Sequence, residues 1–457
     1  MKIRLPRYRG AALAFAVAIS GNCVHAQPEP APSAVQFETI YQFTAGDGSG
    51  GYGSDLVSDG NGGFFGATIE GGPAVCPDIY GCGTVYHLLR PLAPDGAWTK
   101  TMIYNFTGYP NDGQNPYGPL AIAANGTLYG VTQGGGQCSY PGLTEGCGTV
   151  FSLTPPAEPG QAWTETILYR FTGFSDGYFP QDLIIGPGGV LYGTTFFGGV
   201  SPECNQNLGC GAVFSLTPPS TPEGAWTIAV LYSVEGGYYV EGATSVIMGP
   251  GQVLYGTTPG SGDVCFMHIC GTVFSLTPPA TPGGAWTPTV LHTFVGPPDG
   301  FGPNASLALG RNGEIYGTTF FGGRGCHCGT IFELMPPASP DSAWTETVLF
   351  SFRDNPAANR PQTGVVIGKD GALYGSTPAG GVAGCQDDYG CGTIFKLNPP
   401  ASPGGVWTET IVHHFTGGSD GAEPYMTLVV GRNDELYGTT GYGGSSGYGT
   451  AFVILNP

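Results

Sequence analysis

The chain has 457 residues and a formal net charge of −19, with 41% hydrophobic and 10% charged residues. This acidic balance disfavours nucleic acid and anionic membranes as partners, and the hydrophobic fraction excludes a wholly disordered chain. With 81 glycines and 41 prolines, the composition is typical of a turn-rich, all-β protein.

The N-terminal segment is predicted to be a signal peptide comprising residues 1–26. Four basic residues lie among the first nine, residues 11–19 are apolar, and residues 24–26 read VHA ahead of Gln27. The apolar run is too short to span a bilayer. We therefore expect a secreted or periplasmic protein, with a short N-terminal lead at residues 27–35 and one domain at residues 36–457.

Seven copies of one unit follow the lead. The third copy reads DLIIGPGGVLYGTTFFGG, then a loop, then GCGAVFSLTPP, then a turn and GAWTIAVLYSV. Each unit contains four strand-like pieces, which the second copy places at residues 118–124, 128–133, 149–153 and 163–171. The pattern predicts a seven-bladed β-propeller of four-stranded blades. An aromatic-glycine pair marks each copy, at Phe65, Tyr129, Tyr192, Tyr255, Tyr316, Tyr374 and Tyr437.

The phase of the repeats predicts how the ring closes. Residues 36–43 resemble the fourth strand of a unit, whereas the seventh unit ends at its third strand. We therefore expect residues 36–43 to pair with residues 449–455 and complete the last blade. Strict alternation would place the odd-numbered residues from Phe37 to Phe43 on one side of this strand.

Twelve cysteines fall into six close pairs, one in each of the first six units. Pairing in an exported chain indicates disulfides, whereas a zinc site would need four ligands that converge. The predicted bonds are Cys76–Cys82, Cys138–Cys147, Cys204–Cys210, Cys265–Cys270, Cys326–Cys328 and Cys385–Cys391.

The recurring segments GCGTVFSLTPP, LYGTT and FTG followed by DG resemble the GloVer tandem repeat of exported bacterial "choice-of-anchor" proteins. The resemblance covers nearly all of residues 36–457. It implies an exported repeat protein, and it implies no particular activity.

A repeated Asp-Gly pair closes the segment that joins consecutive blades. Carboxylates suit calcium, but no copy has the spacing of a calcium loop, and an aspartate that caps its own turn explains the pattern. We therefore predict a structural role for Asp47, Asp112, Asp176, Asp299 and Asp420.

The repeated tryptophans and the strand histidines are also interpreted as structural. Sugar stacking is the alternative for the tryptophans, but large aromatics dominate buried area. Adjacent histidines in a strand point to opposite faces and do not share a metal, so the sequence predicts no metal site and no cofactor. These residues are Trp98, Trp163, Trp226, Trp286, Trp344 and Trp407, with His87, His292, His413 and His414.

Function is expected where the repeat is broken, in the loops of blades 4–6. Arginine holds a carboxylate through two parallel bonds, and tyrosine or histidine moves a proton, so this set suits an acidic sugar. The alternative is neutral drift of exposed loops. The predicted binding residues are Tyr238, Tyr239, Glu241, Asp263, His268, Arg324, His327 and Arg353.

The leading functional hypothesis is a monomeric, non-catalytic binding module for a glycan or another exported protein. The alternative is an extracellular enzyme, a lyase or hydrolase of an acidic glycan, with Tyr239, His268, Arg324 and His327 as catalytic residues. A structural surface protein is the third hypothesis. The sequence contains no nucleophile elbow, zinc-protease motif or phosphate loop that would favour an enzyme.

Overall fold

The structure is a computed structural model that describes most of residues 35–457. The segments outside the described residues are 1–34, 49–53, 74–75, 77–80, 94–95, 139–144, 159, 174, 200–208, 222, 236–241, 261–269, 282, 326–327, 340–341, 354–357, 386–389 and 403. The predicted signal peptide therefore lies outside the described residues.

The described part of the chain forms seven four-stranded antiparallel sheets in a seven-bladed β-propeller; the first strand of the chain completes the last sheet. The prediction of the fold is confirmed. From the innermost strand outward, blade 1 contains Val57–Ser58, Phe64–Thr68, Thr84–Leu89 and Thr99–Asn105. Blade 2 contains Gly113–Ile122, Leu128–Gly135, Thr149–Thr154 and Thr164–Arg170. Blade 3 contains Tyr178–Ile185, Leu191–Phe197, Ala212–Thr217 and Thr227–Ser233.

The remaining blades follow the same order. Blade 4 contains Ser245–Met248, Leu254–Thr258, Thr272–Thr277 and Thr287–Thr293. Blade 5 contains Ala308–Leu309, Ile315–Thr319, Thr330–Met335 and Thr345–Ser351. Blade 6 contains Val366–Ile367, Leu373–Thr377, Thr393–Asn398 and Thr408–His414. Blade 7 contains Val429–Val430, Leu436–Thr439, Thr450–Leu455 and Gln36–Gln42. A two-stranded ladder of Ala358–Asn359 with Ala379–Gly380 and the 3-10 turns Pro187–Gly189 and Pro250–Gln252 complete the elements.

The middle strands are buried on both faces because neighbouring blades stack on each side of them. Ile315–Thr319 is buried at all five positions, and Ala212–Thr217 at its first five. The glycine of the aromatic-glycine pair leaves room for a ring from the next strand. A Cβ on Gly193 would lie 2.5 Å from the ring atom Cζ of Phe214, so only glycine fits there.

The ring closes as predicted. Gln36 pairs with Leu455 and Gln42 with Thr450, which makes Gln36–Gln42 the outer strand of blade 7. The predicted strict alternation is wrong, because a bulge at Ile40 shifts the register between Thr39 and Tyr41. Phe37 therefore packs toward blade 6, whereas Ile40, Tyr41 and Phe43 pack in the cluster shared with blade 1.

Disulfides fix the long loops between the second and third strands. The bonds Cys76–Cys82, Cys138–Cys147 and Cys385–Cys391 are present as predicted. Cys210, Cys270 and Cys328 are also disulfide-bonded. Their predicted partners Cys204, Cys265 and Cys326 lie outside the described residues.

The cysteine loops share one face with the segments that join the blades, as the sequence predicts. A Cβ on Gly108, in the segment between blades 1 and 2, would lie 2.5 Å from Sγ of Cys76. A Cβ on Gly417, between blades 6 and 7, would likewise lie 2.5 Å from Sγ of Cys385. These two disulfide loops therefore pack on the start of the segment that leads into the next blade.

Candidate functional site

The two predicted binding residues that the structure describes lie in one groove. Arg324 comes from the cysteine loop of blade 5, and Arg353 from the segment between blades 5 and 6; both are exposed. The other six lie outside the described residues: Tyr238, Tyr239, Glu241, Asp263, His268 and His327. Among the four candidate catalytic residues, only Arg324 is therefore placed.

The groove follows the outer strand of blade 5 and has a volume of about 1280 Å³. Its floor is Glu346 to Ser351 of that strand. Asp299, from the segment between blades 4 and 5, lies on one side, and residues 406–409 of blade 6 on the other. The groove thus spans three blades along the flank of the propeller, starting at the face of the cysteine loops.

An apolar wall complements the arginines. Trp407 lines the groove and packs partly buried against the core of blades 5 and 6. Val406 lies beside it and is 80% exposed, at a position where blades 1 to 5 all have alanine. Phe350 also lines the groove. Like the two arginines, Val406 is a local departure from the repeat, so the groove differs chemically from the flanks of the other blades.

The repeat itself explains the polar groups of the groove. In each outer strand, the second residue faces the preceding blade, and the fifth or sixth residue faces the following one, because every outer strand has a bulge between these positions. At the junction of blades 1 and 2, Tyr104 of the first outer strand donates a hydrogen bond to Asp112 at 3.0 Å. Glu165, the second residue of the next outer strand, lies beside this aspartate.

The groove contains the corresponding residues of two junctions, Glu346 and Glu409. Burial, followed by the charge of Asp299, raises the pKa of Glu346 to about 7. Burial alone raises the pKa of Glu409 to about 7. The Oε1 atom of each is buried and has no hydrogen-bond partner among the described residues. Both carboxyls are therefore partly protonated near neutral pH, and both residues line the groove.

The repeated aspartates cap their own turns, as predicted. Asp112 accepts hydrogen bonds from the backbone N–H and the hydroxyl of Thr107 at 2.8 and 3.0 Å. Asp176 accepts the corresponding pair from Thr172. At Asp299 the threonine is replaced by Val295, which donates only its backbone N–H, at 3.0 Å. This aspartate has lost a hydroxyl donor that its counterparts keep.

Ring contacts confirm the packing role predicted for the tryptophans. Trp163 meets Phe65 with ring centroids 5.8 Å apart, and Trp286 meets Tyr192 at 5.9 Å. Each tryptophan thus packs against an aromatic anchor of the preceding blade.

The histidines divide into structural residues and one exception. His87 pairs with Asp59 at 2.9 Å and stacks on Phe65, and His413 stacks on Phe37 with centroids 3.8 Å apart. His292 packs edge-on against Phe294 with ring centroids 4.7 Å apart, and its ring also lies beside Asp299 and Glu346. Sequence reasoning missed this cluster because each residue occupies an ordinary position of its own repeat.

The central channel is a second cavity that contains titratable groups. All seven blades line it, and its volume is about 250 Å³. Burial raises the pKa values of Asp55 and Asp182 there to about 6. Asp55 accepts the backbone N–H of Thr427 in blade 7 at 2.8 Å, and Asp182 that of Val246 in blade 4 at 2.9 Å. These carboxyls connect neighbouring inner strands, so we assign them to the ring rather than to a ligand.

The sequence profile of the Gloeobacter/Verrucomicrobia repeat matches residues 29–204, 79–332 and 243–456. The chain belongs to this repeat family. No protein with a curated description matches the sequence. Among the described residues, no helix has the length and apolar character needed to cross a bilayer.

Solved structures with the same fold are distant in sequence. PorZ of Porphyromonas gingivalis, a bacterial surface component of the type-IX secretion system, has 13% identity and a TM-score of 0.50, covering 86% of this chain and 45% of PorZ. An ancestral GH74 enzyme has 12% identity and a TM-score of 0.52, covering 89% of this chain and 48% of the enzyme. This chain thus spans less than half the length of either neighbour, and at these identities the likeness concerns the fold alone.

Proposed function

We propose that the protein is an exported, non-catalytic binding module that holds an acidic glycan in the groove of blade 5. The observation that carries the proposal is that Arg324 and Arg353, from separate loops, line one groove with an apolar wall of Phe350, Val406 and Trp407. Arginine binds carboxylates through paired hydrogen bonds, and apolar rings and methyl groups pack against sugar faces.

The charge of the groove agrees with an anionic ligand. With pKa values of about 7, Glu346 and Glu409 are partly protonated at neutral pH and act as hydrogen-bond donors to a sugar oxygen. Two arginines then face Asp299, which leaves a local excess of positive charge. The chain as a whole carries −19, so its overall charge disfavours binding of a polyanion elsewhere on the surface.

Export is supported by two features. Residues 1–26 have the basic, apolar and small-residue pattern of a signal peptide. Disulfides persist in oxidising compartments outside the cytosol, and the described blades contain several.

The test compares two forms of one polysaccharide, polygalacturonate and its fully methyl-esterified form. They share a backbone and differ in carboxylate charge. We expect calorimetric binding of the acidic form only, weakened at least tenfold in the double variant Arg324→Ala/Arg353→Ala. Arg311→Ala/Arg432→Ala is the matched control, since it removes two exposed charges from the hairpin face. Equal binding by the two double variants would refute the proposal.

The enzyme hypothesis remains the second candidate because the groove holds two carboxyls with pKa values of about 7, as general acid catalysis requires. The same polysaccharides, incubated with the protein and assayed for new chain ends, decide between the two. Turnover that is lost in Glu346→Gln or Glu409→Gln would establish an enzyme, and binding without turnover supports the module.

A further inference from the structure

We infer that His292, Asp299 and Glu346 form a binding site for one divalent transition-metal ion, with Zn²⁺ as the best match, at the junction of blades 4 and 5. The inference does not depend on the glycan proposal; it takes Glu346 in its ionised form, so that Glu409 is the hydrogen-bond donor to a glycan when zinc is bound. It replaces the sequence-based expectation that the chain has no metal site.

The geometry brings three ligand types to one point. One ligand atom from each residue lies within 4.8 Å of the other two. Nε2 of His292 is 3.3 Å from both carboxylate oxygens of Asp299. Ligands bound tetrahedrally to zinc at about 2.0–2.1 Å are separated by about 3.3 Å, so only Glu346 has to move closer.

A separate observation at Glu346 also indicates a bound cation. Its Oε1 atom is buried and has no hydrogen-bond partner among the described residues. A buried carboxylate beside a second carboxylate is costly. A cation between Glu346 and Asp299 would satisfy the free oxygen and neutralise the repulsion between the two groups.

The other junctions show that this set is not a general property of the repeat. Among the described residues, each of these other junctions lacks a metal-binding side chain at one or more of the three corresponding positions. The counterparts are Tyr41, Asp47 and Lys100 between blades 7 and 1; Tyr104, Asp112 and Glu165 between blades 1 and 2; Tyr169, Asp176 and Ile228 between blades 2 and 3; and His413, Asp420 and Phe37 between blades 6 and 7. At the junction between blades 5 and 6, Glu409 is present, but Phe350 occupies the position that corresponds to His292.

The ligand set selects the class of metal. One imidazole and two carboxylates suit zinc and similar first-row ions, whereas calcium prefers six to eight oxygens. Asp299 and Glu346 both line the groove, so the fourth position of a tetrahedral ion faces a space that water or a ligand oxygen can enter. Arg324 lines the same groove, and its charge lowers the metal affinity without occupying the site.

The experiment uses the full chain, without a histidine tag and with its disulfides intact, after dialysis against a chelator. Titration calorimetry with Zn²⁺ should show one equivalent per chain, weakened at least tenfold in Glu346→Gln and in His292→Asn. Glu165→Gln and Glu409→Gln are matched controls, since each removes the corresponding carboxyl at a junction without the histidine. Both should bind zinc as the unmodified chain does.

Two further readouts separate lost binding from lost folding. Co²⁺ should give the intense visible bands of a tetrahedral site in the unmodified chain and in both controls, and not in Glu346→Gln. Zn²⁺ should raise the melting temperature of the unmodified chain and leave that of Glu346→Gln unchanged. Absence of one-equivalent binding, or equal binding by Glu346→Gln, would overturn the inference.

Discussion

The junction between blades 7 and 1 and the junction between blades 4 and 5 carry side chains of opposite charge at the same backbone position. In the first, Nζ of Lys100 lies 3.1 Å from Oδ1 of Asp47, and the lysine side chain is only 3% exposed. In the second, the position of Lys100 is taken by Glu346, which faces Asp299 with a buried, unpartnered oxygen.

The pKa directions describe the same contrast. Burial alone would raise the pKa of Asp47, but hydrogen bonds from Thr44 and the charge of Lys100 outweigh it, so that this pKa is lowered. At Glu346, burial and Asp299 act together, and the pKa rises. One side chain in the outer strand therefore decides whether a junction is closed by its own ion pair or is left open to an external cation.

The largest effect is expected from removing the strand that supplies half of the junction between blades 7 and 1. A chain without residues 1–43 lacks Ile40 and Phe43, which are 7% and 0% exposed. Buried side chains of this size contribute about 1.5–3 kcal/mol each, so the loss should be about 3–6 kcal/mol. Urea unfolding checks this against a chain without residues 1–34, and equal midpoints would show that the ring is held in another way.

Reversing the charge at Lys100 should give the next largest effect. Lys100→Glu places a second carboxylate beside Asp47 in a site that offers no cation, and we expect a loss of about 2–4 kcal/mol in unfolding free energy. Lys369→Glu is the control, because its pair with Asp434 is 64% and 38% exposed and should cost less than about 1 kcal/mol. Similar losses for the two variants would contradict the comparison.

The opposite exchange should close the open junction. Glu346→Lys gives Asp299 a cation in the arrangement of Lys100 and Asp47, so we expect a gain of about 1 kcal/mol at neutral pH together with loss of zinc binding. Glu409→Lys is the control, since among the described residues the segment between blades 5 and 6 contributes Arg353 to the groove and no aspartate. Destabilisation by Glu346→Lys alone would mean that the two junctions differ in more than charge.

The smallest effect concerns pH and the junction of blades 1 and 2, which has two carboxyls and no histidine. Burial, followed by the charge of Asp112, raises the pKa of Glu165 from 4.5 to about 7. A raised pKa means that the folded state holds the proton more tightly, so this contribution is fully present below pH 4.5 and is lost as the pH rises through 7.

The corresponding measurement is the unfolding free energy of Glu165→Gln and the unmodified chain at pH 5 and pH 8. The unmodified chain should lose more stability over this range, by about 1 kcal/mol after allowance for the partial exposure of Glu165. Identical pH dependence of the two proteins would show that Glu165 titrates normally.

Most of the fold was predictable from the sequence because the same unit occurs seven times in the chain. The aromatic-glycine pairs and the paired cysteines recur in successive units, and residues 36–43 supply the fourth strand that the last unit lacks. Each of these features correctly predicted a local arrangement of the structure. The side assignment within that strand failed at Ile40, where a bulge interrupts the alternation. The same bulge recurs at an aliphatic residue in each outer strand, such as Leu231 or Leu349, and no glycine or proline marks it.

The candidate site was predictable only where it departs from the repeat. Arg324 stands where other units have proline, glutamine, valine or serine, and Arg353 where they have threonine, valine or glutamate; the two arginines lie in one groove. His292, Asp299 and Glu346 belong to two blades, and each is a common residue at its own position. Their proximity follows from the order of blades, so a comparison of successive junctions would have found them.

The closing strand also sets the order of events during synthesis. Gln42 accepts a hydrogen bond from the backbone N–H of Ser445, 403 residues away, so the first strand to leave the ribosome is the last to be paired. Blades 1 to 6 need only local contacts, whereas this step must close a loop as long as the domain, which makes it slow. A chain that stops before residue 450 has no partner for its first strand. Closure of the ring therefore waits until residues 450–455 have been synthesised.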